Sequence, residues 1–137
     1  DGSVKYWQYK DIGKCISGTS YDVATVKWGG GARMPTREEY WELKDYCYFE
    51  GVYFNDVAGM FVIGPNGNSI FIPLAGFRMD TTIIENGTNA ACWSSSIMRH
   101  PDLRNAFYFL FNWDYIFSEQ KWHCEPFYGL SVRPVSD

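Results

Sequence analysis

The hydrophobic period of the chain changes near residue 48, and this change limits the folds that the sequence can adopt. Before it, Thr36 and Glu39 have the spacing of a capping box, and apolar residues follow at helical intervals. This pattern predicts a helix over residues 37–47. Capping groups in residues 17–22 and three glycines at 29–31 predict a shorter helix between them, Val23–Trp28.

After the second helix the sequence is typical of short strands joined by turns and long loops. Residues 59–63 and 68–73 predict a hairpin, and Asn66-Gly67 in its turn is expected to supply positive φ angles. Further strands are predicted at residues 4–9, 106–111 and 129–135, while 81–91 and 97–105 are predicted to be irregular. Helices followed by strands indicate an α+β fold.

The composition agrees with one strand-rich domain spanning residues 1–137. Six Trp, ten Tyr and ten Phe make up 19% of the chain, beside 13 Gly. A net charge of −4 argues against nucleic-acid binding through a basic face. No apolar run reaches the roughly 18 residues of a membrane span, so we expect no membrane insertion by this domain.

The four cysteines carry no metal or redox motif. Cys15, Cys47, Cys92 and Cys124 contain no C-x-x-C spacing, and their three possible pairings stay open. Buried apolar thiols are favoured over a disulfide framework. The run Ser94–Ser96 lacks a nucleophile elbow, so we expect its hydroxyls to satisfy backbone groups.

The aromatic residues are concentrated near the C-terminus. Residues 107–128 hold ten rings, far more than the chain average predicts. Strand alternation places Phe107, Phe109 and Phe111 on a core face and Tyr108, Leu110 and Asn112 on the other. For Tyr108 and Leu110, a binding face and a second core layer are equally compatible with the pattern.

We predict a ligand-binding surface in residues 90–128, because stiff amphipathic rings there are interspersed with polar side chains. Arg133 in the last strand is instead expected to make a framework hydrogen bond. The candidate binding residues are Arg99, His100, Asp102, Arg104, Tyr108, Leu110, Asn112, Trp113, Asp114, Tyr115, Phe117, Trp122 and His123.

Eight motifs carry a family resemblance. In order they are ISGT at 16–19, YDVA at 21–24, WGG at 28–30, RMPT at 33–36, GPNGNSIF at 64–71, AGFR at 75–78, WSSS at 93–96 and YGLSVRPV at 128–135. Together they resemble the Fibrobacter succinogenes major paralogous domain family. Residues 90–92 before the WSSS motif, and residues 97–127, depart from the family pattern.

The resemblance implies a C-type lectin-like fold of the formylglycine-generating-enzyme branch. Two helices would pack on a twisted, mostly antiparallel sheet with long loops and with the termini close together. Members resemble exported or cell-surface proteins, including pilus adhesins and the variable proteins of diversity-generating retroelements. The chain starts at Asp1, and we expect it to be part of a longer exported protein.

Catalytic and metal-dependent activities of related folds are not supported. A copper oxidase of this branch needs a close cysteine pair, whereas Cys92 and Cys124 are far apart in sequence. Calcium-binding lectin loops are not matched by residues 112–114 or 125–127. We therefore predict a non-enzymatic recognition module without cofactor or metal, which binds an unknown protein or glycan. The alternative is a structural domain of a pilus or surface lipoprotein, tethered to its neighbours.

Overall fold

A computed structural model describes residues 12–100, 103–113, 118–120 and 129–136, with the backbone alone for residues 98–100, 103–105 and 118–120. In this part of the chain, two helices and antiparallel sheets form the predicted α+β fold. The strand predicted at residues 4–9 lies outside the described residues. Neither described helix combines the length and the apolar character that crossing a membrane requires.

Both helices begin at the predicted capping residues. Helix α1, Val23–Trp28, starts after Asp22 and ends at Gly29, whose φ of 61° stops helical propagation. Helix α2, Arg37–Tyr46, starts with the complete capping box of Thr36 and Glu39. It ends one residue before the predicted limit, because Cys47 is already extended with ψ of 153°.

The strands form four small antiparallel sheets. One contains β2, β3 and β4, another contains β7, β8 and β9, and β1 pairs with β10 and β5 with β6. The strands are β1 Ala32–Arg33, β2 Tyr48–Phe54, β3 Val57–Ile63, β4 Ser69–Pro73, β5 Phe77–Met79, β6 Thr82–Ile84, β7 Asn89–His100, β8 Leu103–Asn112, β9 Ser118–Gln120 and β10 Val135–Ser136.

The predicted hairpin is present as β3 and β4, but its turn differs from the prediction. Gly67 has the expected positive φ of 81°, whereas Asn66 does not. The Asn66 side-chain oxygen instead accepts a hydrogen bond from the Asn68 amide at 3.0 Å. Because Asn66 keeps an ordinary φ, the turn needs only one left-handed residue, as in longer hairpin loops that end on a glycine.

Two predicted irregular segments and one predicted strand are wrong. Residues 81–91 and 97–105 are not irregular throughout, since they contain β6, the start of β7 and the residues of β7 and β8 near the tip of their hairpin. Residues 129–135 do not form one strand: Gly129 and Ser131 make single bridges, to Arg78 and Cys92, before β10 begins. The first two segments form hairpins with neighbouring residues that lack clear apolar alternation, whereas residues 129–136 pair with partners distant in sequence.

Strand β2 was not predicted at all. It pairs with β3 through a two-residue turn, Asn55-Asp56, in which both residues have positive φ, 49° and 63°. Asn and Asp tolerate this conformation better than other residues with a side chain. The hairpin turn with two left-handed residues is therefore Asn55-Asp56, between β2 and β3, and not Asn66-Gly67 as the sequence predicted.

The core lies between α2 and the two three-stranded sheets. Tyr40 of α2 stacks on Phe109 of β8 with ring centroids 4.3 Å apart, and Phe111 packs on Phe49 of β2 at 6.3 Å. Around these rings, the cluster is completed by Met60, Val62, Ile72, Leu74, Ala90 and Cys92. The predicted helical stripe is confirmed, because Leu43 and Cys47 pack against this cluster.

The cysteines only partly match the prediction of buried thiols. Cys92 is buried and Cys47 is partly buried, but Cys15 is exposed, so the prediction is wrong for Cys15. These three thiols are free. Cys124 lies outside the described residues.

The serine run of β7 satisfies backbone groups, as predicted. Ser94 donates to the Phe107 carbonyl at 2.8 Å and Ser95 to the Pro35 carbonyl at 3.1 Å, while Ser96 accepts from the Arg37 amide at 3.1 Å. A register shift in β7 lies between residues 93 and 97, and within it the Ser95 and Ser96 hydroxyls contact the start of α2 while the Ser94 hydroxyl contacts β8.

A fully buried carboxylate organises the segment before α2. Asp22 accepts hydrogen bonds from the amides of Gly18, Ala24, Thr25 and Met34, at 2.8 to 3.3 Å. Burial raises the pKa of Asp22, but hydrogen bonds from Met34, Gly18 and Thr25 outweigh this effect and leave the pKa lowered. The Asp22 side chain therefore joins the start of α1 to Met34, in the segment between β1 and α2.

Replacing Asp22 is expected to destabilise the protein strongly. Asp22→Ala leaves four amide donors without their acceptor, and we expect a loss of about 3 kcal/mol in the free energy of unfolding. Urea denaturation measures this loss. The matched control is Asp45→Ala, an exposed carboxylate on α2, which should change stability by less than about 0.5 kcal/mol. Equal effects of the two variants would contradict the role given to Asp22.

A second prediction concerns acid. Arg33 donates two hydrogen bonds to Glu39, at 2.6 and 2.8 Å, which lower its pKa to about 2 from 4.5 although burial opposes the shift. A lowered carboxylate pKa adds stability above pH 4.5 that is lost as the pH falls toward 2. We expect urea midpoints to fall over this range, and to fall less in Glu39→Gln. An identical pH dependence in Glu39→Gln would contradict this assignment.

Candidate functional site

The two faces of β8 follow the predicted alternation. Phe109 and Phe111 are completely buried in the core. Phe107, on the same face, is partly buried, and the Arg37 guanidinium lies 4.2 Å from its ring centroid. The same guanidinium lies 4.3 Å from the Trp41 ring, so cation–π contacts tie the start of α2 to β8.

The outward face of β8 is covered in its middle part. Tyr108, Leu110 and Asn112 are all half-buried. Ala91, which pairs with Leu110, is only 1% exposed, and Trp93 packs edge-on against Tyr108 at 6.1 Å. For Tyr108 and Leu110 these contacts favour a second apolar layer over an open binding face.

The other predicted binding residues are described in part or not at all. Arg99 and Arg104 are directly paired near the tip of the β7–β8 hairpin, and His100 pairs with Leu103. The backbone alone is described there. The candidates outside the described residues are Asp102, Asp114, Tyr115, Phe117, Trp122 and His123.

Apart from Tyr108 and Leu110 in the middle of β8, the described candidates lie near its two opposite ends. Nine residues separate Arg104 from Trp113, which corresponds to about 30 Å along an extended strand. A single small ligand cannot contact both positions. Trp113, which follows the last residue of β8, is the candidate whose side chain is both described and exposed.

Trp113 is held in place by three contacts. Its ring lies against the backbone of β2, where a Cβ atom on Gly51 would be 2.5 Å from the ring carbons Cε3 and Cζ3. Its indole N–H donates to the Gly87 carbonyl at 3.3 Å. The Tyr53 ring stands 5.6 Å away, tilted by 33°. Glycine at position 51 is therefore required for this close approach.

Trp113 and Tyr53 together form an exposed aromatic surface, which we call the Trp113 platform. Trp113 is 39% and Tyr53 is 75% exposed. Asn89 and Asn112, which pair at the end of the sheet, lie on the opposite face of β8 from Trp113, and Asn89 donates to the Glu85 carboxylate. Two adjoining exposed rings, one of which carries a phenolic hydroxyl, suit a ligand with apolar faces and at least one hydrogen-bonding group.

Nothing in the platform resembles an acid–base or metal centre. Within the described residues, no group of three or more His, Cys, Asp or Glu side chains is placed to hold a metal ion. Burial raises the pKa of Cys92 to about 12, although the Tyr40 hydroxyl and the charge of Arg133 oppose the shift. The Cys92 thiol therefore stays protonated at neutral pH. The framework hydrogen bond expected for Arg133 stays a prediction.

Sequence reasoning missed the residues of the platform that come from outside the aromatic segment, namely Tyr53, Gly51 and Gly87. Two signals were available. Residues 48–54 alternate in a way that a strand could use, and Asn55-Asp56 is a turn dipeptide between two apolar runs. The contact of Trp113 with Gly51 has no local signature, because 62 positions separate the two residues along the chain.

Comparisons of the chain with protein-family models, with curated proteins and with solved structures found no match.

The contact between Trp113 and Gly51 can be tested by a double-mutant cycle. Gly51→Ala should cost about 1–3 kcal/mol in the free energy of unfolding, because the new methyl group displaces the indole ring. In a Trp113→Ala background the same change should cost less than about 0.5 kcal/mol. Urea denaturation of the four proteins gives both values. Equal costs in the two backgrounds would show that the ring does not lie on Gly51.

Proposed function

We propose that the chain is a ligand-recognition module of an exported bacterial surface protein, a pilus-associated or other adhesin, and not an enzyme. Its ligand is a protein or a glycan, bound at the Trp113 platform. The fold would be a single C-type lectin-like domain related to the Fibrobacter succinogenes major paralogous domain family. The family relationship rests on the ordered sequence motifs.

Several features of the topology support the lectin-like architecture. The pairing of β1 with β10 brings the first described strand next to the last. Two parallel bridges, between Gly76 and Ala90 and between Cys92 and Ser131, connect distant segments to β7. Helix α2 packs on the β7–β8 sheet through Tyr40.

The exposed Trp113 platform is the observation that carries the recognition proposal. Single exposed apolar side chains are common on protein surfaces, whereas two adjoining exposed rings form a patch of the kind that contacts a partner. Trp and Tyr supply a large contact area for only two side-chain torsions each, so little entropy is lost on binding. The contacts to Gly51 and Gly87 orient the indole before a ligand arrives.

A structural domain of a pilus or surface lipoprotein is the second candidate. The burial of Ala91 and the half-buried Tyr108 and Leu110 favour it, because they fill the outward face of β8 with intramolecular contacts. Under this alternative the platform would contact a fixed neighbour, and no free ligand would bind.

The test is a screen of the 137-residue chain on glycan and surface-protein arrays, followed by titration of the best ligand. Tyr53→Ala should weaken binding at least about tenfold, equivalent to about 1.4 kcal/mol, and leave the unfolding midpoint nearly unchanged. The matched control is Tyr46→Ala, a similarly exposed tyrosine at the end of α2 that lies outside the platform.

Two results would contradict the proposal. Absence of any array ligand would favour the structural role. A ligand whose affinity is the same in Tyr53→Ala, Tyr46→Ala and the unchanged chain would place recognition elsewhere.

A further inference from the structure

Strand β2 lies at the edge of its sheet. In the described part of the chain it pairs with β3 alone, in a register that runs without interruption over its whole length. Residues 48–54 contain neither proline nor lysine, which commonly protect an edge strand from further pairing. The opposite edge strand, β4, is shorter and ends at Pro73, whose carbonyl accepts from the Ala75 amide at 2.9 Å. The edge formed by β2 is therefore the less protected of the two.

The backbone groups of Gly51 and Tyr53 point away from β3. Along an antiparallel strand, successive residues direct their backbone groups alternately to one side and to the other. The Ala58 carbonyl accepts from the Leu74 amide at 2.8 Å, so Ala58 faces the β4 side of the sheet and the residues on either side of it face β2. Ala58 is the register partner of Tyr53, which therefore faces the free edge, as does Gly51 two residues earlier. Together they present two N–H and two C=O groups at this edge.

This edge is open to solvent beside the Trp113 platform. Gly51 is exposed and has no side chain, so its exposed atoms belong to the backbone. The Trp113 ring lies where a Cβ atom of Gly51 would point, which is out of the plane of the sheet. The ring therefore leaves the edge accessible within the plane. Unpaired backbone groups and the two platform rings adjoin one another on the same strand.

We propose that the ligand of the Trp113 platform is an extended polypeptide segment, which adds to the sheet as a further strand along the free edge of β2. This inference rests on the proposed recognition function and selects a polypeptide over a glycan. Donors and acceptors that repeat at every second residue of a strand complement the main chain of another strand, and sugar hydroxyls have no such repeat. In strand addition the main-chain hydrogen bonds supply affinity, and contacts to alternate side chains supply selectivity.

The side chains beside the edge determine which segments bind best. Residues placed opposite Gly51 and Tyr53 share their face of the sheet and meet the platform rings, so aromatic residues are favoured there. The intervening residues lie on the other face, next to the exposed carboxylate of Glu50, which favours basic side chains. The net charge of −4 acts in the same direction. We therefore expect a segment that alternates aromatic and basic residues.

The experiment measures backbone amide exchange of the 137-residue chain by NMR, without and with a synthetic peptide. The peptide is capped at both ends and alternates tyrosine and lysine over about seven residues, the length of a typical strand. In the free chain, the Gly51 and Tyr53 amides should exchange at least about tenfold faster than the Val52 amide, which faces β3. The peptide at about 1 mM should slow both edge amides at least about threefold.

Three controls show where and how the peptide binds. By the same alternation the Phe71 amide faces the free edge of β4, and the peptide should not change its exchange. Glu50→Lys should weaken binding at least about threefold, whereas Glu42→Lys, the same change at an exposed position of α2, should not. Only alternate residues of an added strand direct their amides at β2. N-methylation of either the tyrosines or the lysines should therefore weaken binding at least about tenfold, and methylation of the other set should be tolerated.

The outcomes separate this inference from the proposed function. Unchanged exchange of both edge amides at about 1 mM peptide would overturn the inference, as would equal effects of the two methylation patterns. A glycan ligand that is weakened by Tyr53→Ala but leaves the Gly51 amide unprotected would overturn it too, and would keep the proposed function. Peptide binding that protects the Gly51 amide equally in Tyr53→Ala and in the unchanged chain would contradict the platform as the binding site, and not strand addition.

Discussion

The stacking of Tyr40 on Phe109 is the contact on which the rest of the structure depends. It fixes helix α2 against the β7–β8 sheet, with 4.3 Å between ring centroids. Two residues further along β8, Phe111 packs on Phe49 and joins the same core to the β2–β4 sheet. One strand thus connects the helix to both larger sheets, and its two buried rings set the distances among them.

The contact between Trp113 and Gly51 continues a row of side-chain contacts between β8 and β2. Trp113 follows Phe111 by two residues, and Gly51 follows Phe49 by two, so the next pair along the two strands is an indole on a glycine. Because Gly51 has no side chain, the ring lies against the backbone at the edge of the core and keeps one part in solvent. A single ring contact can therefore serve both packing and recognition.

Strand β2 shows how little sequence distance separates two different surfaces. Tyr53 belongs to the platform, whereas Phe54, the next residue, packs on Phe61 and Phe71. Alternation along the strand sends consecutive side chains to opposite sides of the sheet.

Local sequence patterns determined the capped helices, the β3–β4 hairpin and the buried side of β8, because capping groups, a turn glycine and apolar alternation act over a few residues. The family resemblance and the ligand stay predictions. Only the tertiary structure decided that Tyr53 stands beside Trp113 and that the middle of the outward face of β8 is covered. These outcomes depend on contacts between strands that are far apart in sequence. A local pattern of a few residues does not specify which distant segment a strand will contact.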